Sequence, residues 1–175
     1  MRLSTKSIGL EAAPVVVEAI RNVSGTLEVA DISDVIAGRP EAEVLQVLQL
    51  LSAALRHCRL RALSLSSNAL GEKGIRACTE VLTSQEQLEE LYLENVGCSV
   101  NACKAISELV QCKTLKKVHL FNNMSDNEGA ASVAQLLAHS PAMEVCSSPC
   151  MKSSSSRTWD ALCARRSPSS CSATR

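Results

Sequence analysis

The sequence predicts an α/β fold assembled from repeating strand-plus-helix units, and three observations lead there. The first is internal self-similarity. Leu60-x-x-Leu63-x-Leu65-x-x-Asn68, Leu88-x-x-Leu91-x-Leu93 and Leu115-x-x-Val118-x-Leu120-x-x-Asn123 begin 28 and then 27 residues apart. The second is composition: 46% of the 175 residues are hydrophobic, yet Tyr92, Phe121 and Trp159 are the only aromatics. With so few rings to fill a core, Leu, Val, Ile and Ala must do it, which suits a regular layered stack. The third is a change of period inside each unit, from two to 3.6 residues.

Each element follows from that change. In the Leu-x-x-Leu-x-Leu stretch the fourth and sixth positions alternate as in a strand and turn apolar side chains inward. A fainter copy starts at Leu27, with Ala30 and Ile32 in the next two slots, and a trace of another opens the chain at Leu3 and Ile8-Gly9-Leu10. The dozen residues after each strand take helical spacing. Val44, Leu48, Leu51 and Leu55 fall on one face with Val47 beside them, and Pro40 and Glu41 suit the first turn. Ile75, Cys78 and Leu82 repeat the pattern, and so do Val133, Leu136 and Leu137 behind a cap at Ser125 or Asp126. The expected architecture is therefore a leucine-rich-repeat solenoid of the ribonuclease-inhibitor-like kind, with repeats of about 28 residues. A parallel sheet lies on its concave face and helices lie outside. About four repeats plus a partial one occupy residues 1–144.

Residues 145–175 read differently. Ten serines, four cysteines and no Glu in 31 residues make a Ser/Cys/Arg-rich low-complexity tail, expected to be disordered. Formal charge divides at the same point. Residues 1–144 hold 13 Lys+Arg against 17 Asp+Glu, and the tail holds five basic residues against Asp160. A change so abrupt suggests a frame change or alternative splice near codon 145, ending the stack short.

Two features stand outside the repeat. Leu27 to Leu60 is 33 residues, and the excess falls after the strand at Ile36-Ala37-Gly38-Arg39-Pro40. That makes a projecting loop carrying an arginine, although from position alone Arg39 is equally a solvated side chain on a tolerated insertion. The other is Asn95. The ninth-position asparagines, Asn68 and Asn123, suit a ladder that satisfies backbone groups within the turns. In the Leu88 repeat the ninth position is Val96, so Asn95 occupies the eighth, together with Asp34, Ser67 and Asn122 elsewhere. These polar residues should share one edge. The alternative is a turn shifted by one, with Asn95 serving the ladder.

Other chemistry is not expected. A net charge of +0 gives no general pull toward nucleic acid or membrane, and no run reaches the roughly 20 apolar residues of a membrane span. Gly71-Glu-Lys-Gly74 lacks the spacing of a phosphate loop. The Asn122–Glu128 segment lacks the alternation of a calcium loop, and His57, His119 and His139 are far apart. No metal, cofactor or small-molecule substrate is expected. The nine cysteines include no Cys-x-x-Cys pair, Cys146-Ser-Ser-Pro-Cys150 coming nearest. With no signal peptide in view they read as reduced thiols of a cytosolic or nuclear protein. What remains is a surface for another protein.

Several segments are more specific than leucine spacing. Ser7-Ile-Gly-Leu-Glu-Ala-Ala13, Ala37-Gly-Arg-Pro-Glu-Ala-Glu43, Asn68-Ala-Leu-Gly-Glu-Lys-Gly-Ile-Arg-Ala77, Leu88-Glu-Glu-Leu-Tyr-Leu93 and Asn122-Asn-Met124 before Glu128-Gly-Ala130 resemble the Ran GTPase-activating proteins, the plant form in particular. The resemblance runs from about residue 3 to residue 144. It implies a regulator, not an enzyme in its own right, that activates GTP hydrolysis by the GTP-bound small GTPase Ran in nucleocytoplasmic transport. It also implies a cytoplasmic location, or the nuclear envelope for relatives that carry a targeting domain. The family's important arginine follows a glycine in the long early loop and matches Arg39. Its important asparagine follows the Tyr-Leu strand and matches Asn95. Activation is attributed to ordering the GTPase's own glutamine, with Asp34, Asn68 and Asn122 as further partner-binding candidates. The family carries about eleven repeats, so the same residues are also consistent with a binding module that does not activate.

Overall fold

The computed structural model describes residues 1–121, 123 and 127–147. Its elements alternate as the periods require. Helix α1 (Ala13–Val23) precedes strand β1 (Val29–Asp31), and α2 (Glu41–Leu55) precedes β2 (Ala62–Ser64). Two short helices follow, α3 (Gly71–Ala77) and α4 (Thr79–Ser84), then β3 (Glu90–Tyr92), α5 (Val100–Leu109), β4 (Lys117–His119), α6 (Asn127–His139) and β5 (Val145–Ser147). The strands form one parallel sheet in the order β1-β2-β3-β4-β5. A helical crossover between sequential parallel strands is what this order demands.

Register follows the leucine frame. Ala30 pairs with Leu63, Leu63 with Leu91, Leu91 with Val118 and Val118 with Cys146. The fourth position of every repeat thus lies in one row. Leu63, Leu91 and Val118 are fully buried, and the row packs into a core cluster running from Ile8 to Leu137. Each helix lies against the next: α1 on α2, α2 on α3 and α4, α3 on α5, and α5 on α6. A buried Leu contributes roughly 1.5–3 kcal/mol relative to exposure, so the shared core dominates over any surface ion pair, worth about 0–1 kcal/mol.

The chain start joins the sheet without forming a full strand. Arg2 bridges Asp31 in parallel, the Asp31 N–H donates to the Met1 carbonyl, and the Leu3 N–H donates to the Asp31 carbonyl. At the other end the expected boundary after residue 144 moves outward. Val145–Ser147 pair with Lys117–His119, because Cys146 supplies a small apolar side chain in the slot that continues the Leu91–Val118 row. The capping residues expected for α6, Ser125 and Asp126, and the tail from residue 148 lie outside the described residues.

Two helices depart from simple periodicity. Pro40 is the N-cap of α2, in an extended conformation, and Glu41 is the first helical residue. The single helix expected around Ile75, Cys78 and Leu82 divides at Cys78, whose φ and ψ are −87° and 13°. The break leaves the Val81 N–H without its usual helical acceptor, and the buried Ser52 hydroxyl of α2 accepts it at 2.9 Å. By contrast, α5 has an ordinary cap, with the Ser99 side chain accepting from the Ala102 N–H.

Turns after the strands are held by the two asparagines. Asn68 is buried, its Oδ1 accepting from the Val35 N–H at 2.9 Å and its Nδ2 donating to the carbonyls of Ile32 and Leu65. Asn123 repeats this two repeats later. Its Oδ1 accepts from the N–H groups of Val96 and Cys98, and its Nδ2 donates to the carbonyls of Leu93 and Leu120. Each asparagine therefore serves its own turn and the turn before it, where the ninth position is a valine. Removing one leaves several buried backbone groups unpaired. Asn68→Ala should lower the unfolding free energy by about 1–3 kcal/mol, read as a lower midpoint in urea. A loss below about 0.5 kcal/mol would mean that water or a shifted turn replaces the ladder.

Candidate functional site

Beyond each strand the chain turns through the same conformation. Thr5, Asp34, Ser67 and Asn95 all have positive φ, at 63°, 51°, 57° and 53°. Left-handed backbone costs an ordinary L-residue about 1–2 kcal/mol, and Asn and Asp tolerate it best. Backbone bonds carry one turn to the next: Thr5 N–H to Ser33, Asp34 N–H to Ser66, Ser67 N–H to Glu94 and Asn95 N–H to Phe121. The eighth positions thus form one rim at the carboxyl ends of the strands, with neighbours about 4.8 Å apart.

Asn95 is exposed on that rim. Its neighbour Val96 is fully buried and gives its N–H to Asn123, so the turn has not shifted and Asn123 is its ladder residue. Gly97, also at positive φ, completes the turn. Asn95 is held from its own N–H and from the residue that follows, which fixes its backbone while its side chain faces outward. Ser67 is exposed and Asp34 half-buried on the same rim.

Asn68 needs correction as a partner-binding candidate. It is 1% exposed, and both polar side-chain atoms are engaged with backbone, so it offers nothing to another molecule. Asn123 is buried in the same way, while Asn122 lies outside the described residues.

The Arg39 side chain keeps 38% of its surface exposed. It turns back onto the N-terminal turn, where Nε donates to the Ser7 hydroxyl at 3.1 Å and Nη1 to Glu43 Oε1 at 3.4 Å. Ser7 in turn donates to the Ala37 carbonyl at 2.8 Å, and Glu43 Oε1 also accepts from the Leu10 N–H at 2.9 Å. The guanidinium lies flat over Gly9, where an added Cβ would come within 2.8 Å of Nη1. Two segments separated in sequence, Ser7–Ala13 and Ala37–Glu43, therefore form one cradle. Gly9 and Glu43 had no visible role in the sequence, because the contact joins different repeats. Arg39 and Asn95 are not brought together: the Ser67 turn separates their repeats, and the hydrogen bonds of Arg39 point toward the chain start. On the other side of the loop, a cleft of about 730 Å³ opens between Ile36–Arg39 and Ser67–Gly71.

The outward sheet face beside the rim is polar and internally paired. Hydroxyls of Ser33 and Ser64 meet at 2.7 Å, and the Ser66 hydroxyl accepts from the Glu94 N–H. Tyr92 stacks on His119 with ring centroids 4.6 Å apart. Its hydroxyl donates to Glu90, which pairs with Lys117 at 2.7 Å. The Lys117 ammonium, and then the Tyr92 hydroxyl, hold the Glu90 carboxyl below its ordinary range. The same carboxylate, with burial, pushes Tyr92 up to about 12. Among the described residues no group of three or more His, Cys, Asp or Glu is placed to hold a metal, and no helix is long and apolar enough to cross a membrane.

Fold and sequence comparisons place the chain among α/β proteins of leucine-rich-repeat type. The leiomodin-1 actin-binding site 2 superposes with a TM-score of 0.64 at 14% identity, covering 85% of this chain and 86% of that one. The tropomodulin C-terminal domain of Caenorhabditis elegans gives 0.61 at 12% identity, covering 87% and 92%. At such identities the likeness concerns the fold alone. Pig (Sus scrofa) ribonuclease inhibitor is 34% identical over 80 residues, 45% of this chain and 18% of that protein.

A more particular resemblance is to Ran GTPase-activating proteins. Ran GTPase-activating protein 1 of Arabidopsis thaliana is 50% identical over 93 residues, 53% of this chain. Ran GTPase-activating protein 2 of the same plant is 47% identical over 89 residues, 51% of this chain. The chain spans 17% and 16% of those two proteins. No family model matches it.

The cradle makes a local prediction. Gly9→Ala should dislodge the flexible guanidinium at little cost to stability, within about 1 kcal/mol, because the ion pair it loosens is partly exposed. Arg39 should then react faster with phenylglyoxal than in the unaltered chain, by peptide mapping. Unchanged Arg39 reactivity would show that Gly9 does not set its position.

Proposed function

We propose that this chain acts on the small GTPase Ran in its GTP-bound form and accelerates hydrolysis from the rim that carries Asn95. The observation that supports this most is the Asn95 turn. A short polar side chain sits at an exposed position on a backbone fixed on both sides. Activation by ordering the GTPase's glutamine and its attacking water asks for orientation, not for charge. Arg39, held away from the rim centre, serves the partner contact or the loop's shape and is not inserted at the phosphates. Asp34 and Ser67 border the same surface.

Under this reading the chain is a regulator of another protein's chemistry, without a substrate or cofactor of its own, and it works in the cytoplasm. The repeats form a solenoid with the sheet on the concave side and helices outside. The working domain is the repeat stack, which β5 extends past residue 144. The small share of the Arabidopsis proteins that the chain spans favours a second reading, a module that binds a protein without stimulating it.

Single-turnover GTP hydrolysis by Ran, with increasing amounts of a cooperatively melting sample, tests both. Asn95→Gly is the informative variant, since glycine keeps the left-handed turn and removes only the amide. It should reduce the acceleration on the order of 10²-fold, the scale of losing one transition-state contact, while binding to Ran·GTP persists. Binding without acceleration by the unaltered chain would establish the module instead. Acceleration that survives Asn95→Gly would remove Asn95 from the mechanism.

A further inference from the structure

Three residues beyond Asn95, two buried thiols meet. Cys98 immediately precedes the Ser99 cap of α5, and Cys103 is the fourth residue of that helix. These are the two positions whose apolar side chains pack as a hydrophobic staple and set the angle at which a chain enters a helix. Two cysteines fill that role as small hydrophobes. Their sulfurs, however, lie 2.9 Å apart, and closing to a bond requires a further approach of less than about 1 Å. Both residues are 1% exposed, so the core that surrounds them already holds them facing each other.

We propose that Cys98 and Cys103 are a redox-active dithiol that closes to an intramolecular disulfide and locks the Asn95 turn onto α5. The lock has a defined reach. The Cys98 N–H donates to Asn123 Oδ1, so a bond to Cys103 joins the asparagine ladder to the second turn of the helix. The intervening residues, including Gly97 and the Ser99 cap, lose freedom in every open state of the loop. Closure does not depend on any action on Ran; it follows from the geometry of the staple alone.

With hydrogen peroxide as oxidant the step balances. One thiol, as thiolate, attacks a peroxide oxygen; an S–O bond forms, the O–O bond breaks, and water leaves after protonation. The second thiol then attacks the sulfenic sulfur, the S–S bond forms, the S–O bond breaks, and a second water departs. Two thiols have lost two electrons and two protons, and the peroxide has gained them. A dithiol reductant reverses the change. The sulfur–sulfur hydrogen bond with Cys103, and then burial, raise the Cys98 thiol above its ordinary range. Attack therefore waits on fraying of the first turn of α5 and runs faster as pH rises.

The chain itself permits a clean test. Cleavage after Glu94 and Lys104 releases Asn95–Lys104, a peptide with these two cysteines and no other. The full chain is oxidised with hydrogen peroxide under native conditions, then denatured, alkylated and digested. The expected peptide is two hydrogens lighter and carries no alkyl group, and prior dithiothreitol returns it to the doubly alkylated form. In the oxidised chain, amide exchange across Val96–Ala102 should slow on the order of tenfold, as expected for a short covalent loop. A doubly alkylated peptide, under conditions that oxidise the half-buried Cys146, overturns the proposal; so does a Cys98 paired with a different cysteine. Cys103→Ser should leave Cys98 singly alkylated. Should that variant fail to fold, the map of the unaltered chain decides alone.

Discussion

The structure depends on one constraint: backbone polar groups in the turns after the strands are buried and must be paired. Side chains of Asn68 and Asn123 meet it for four turns, because each bonds its own repeat and the preceding one. Val35 and Val96 can then occupy the ninth position in the intervening repeats and extend the core. Among the described residues no buried side-chain nitrogen or oxygen lacks a hydrogen-bond partner. The same economy recurs at the far ends of the helices. Buried Gln85 accepts from the Leu60 N–H and donates to the Leu55 carbonyl, and the Thr114 hydroxyl donates to the Leu88 carbonyl.

Once the ninth position is pinned inward, the eighth is forced outward in a left-handed conformation. That is why Asp34, Ser67 and Asn95 form a rim instead of scattering over the surface. It also explains their residue types, since a short polar side chain tolerates the conformation better than an aliphatic one. A rim built this way is rigid without depending on side-chain packing. The ladder engages only backbone atoms of the turns.

Most of this was legible from local pattern. The leucine frame gave the strand register directly, since Ala30, Leu63, Leu91 and Val118 pair in one row. The count from each first leucine separated Val96 from Asn95, and the burial of Val96 decides between the two readings of that turn. The misses share one cause, contacts between residues about 30 apart. Nothing near Arg39 in sequence announces Ser7 or Gly9, and nothing near Cys78 announces that Ser52 can accept the Val81 N–H and so permit a broken helix. Composition misled at residue 145, because a strand needs only a fitting side chain at one row position, and Cys146 provides it despite the serines that follow. Asn68 was over-read: its position put it near the rim, but the ladder consumes both ends of its amide.

Charges on the sheet face and its flanks are largely paired with one another. Glu90 is neutralised by Lys117, Glu89 is shared between Arg61 and Lys116, and Arg39 is paired with Glu43. Beside Asn95 itself stands the Glu94 carboxylate, 44% exposed and 4.0 Å from His119. The function proposed for Asn95 asks that its backbone not move. Here the backbone is fixed by the Asn95 N–H bond to Phe121 and by the Val96 N–H bond to Asn123. Structural demands on the turn are thereby divided between Val96 and Asn123. Val96 carries the burial and Asn123 accepts its N–H, while Asn95 occupies the exposed position beside them.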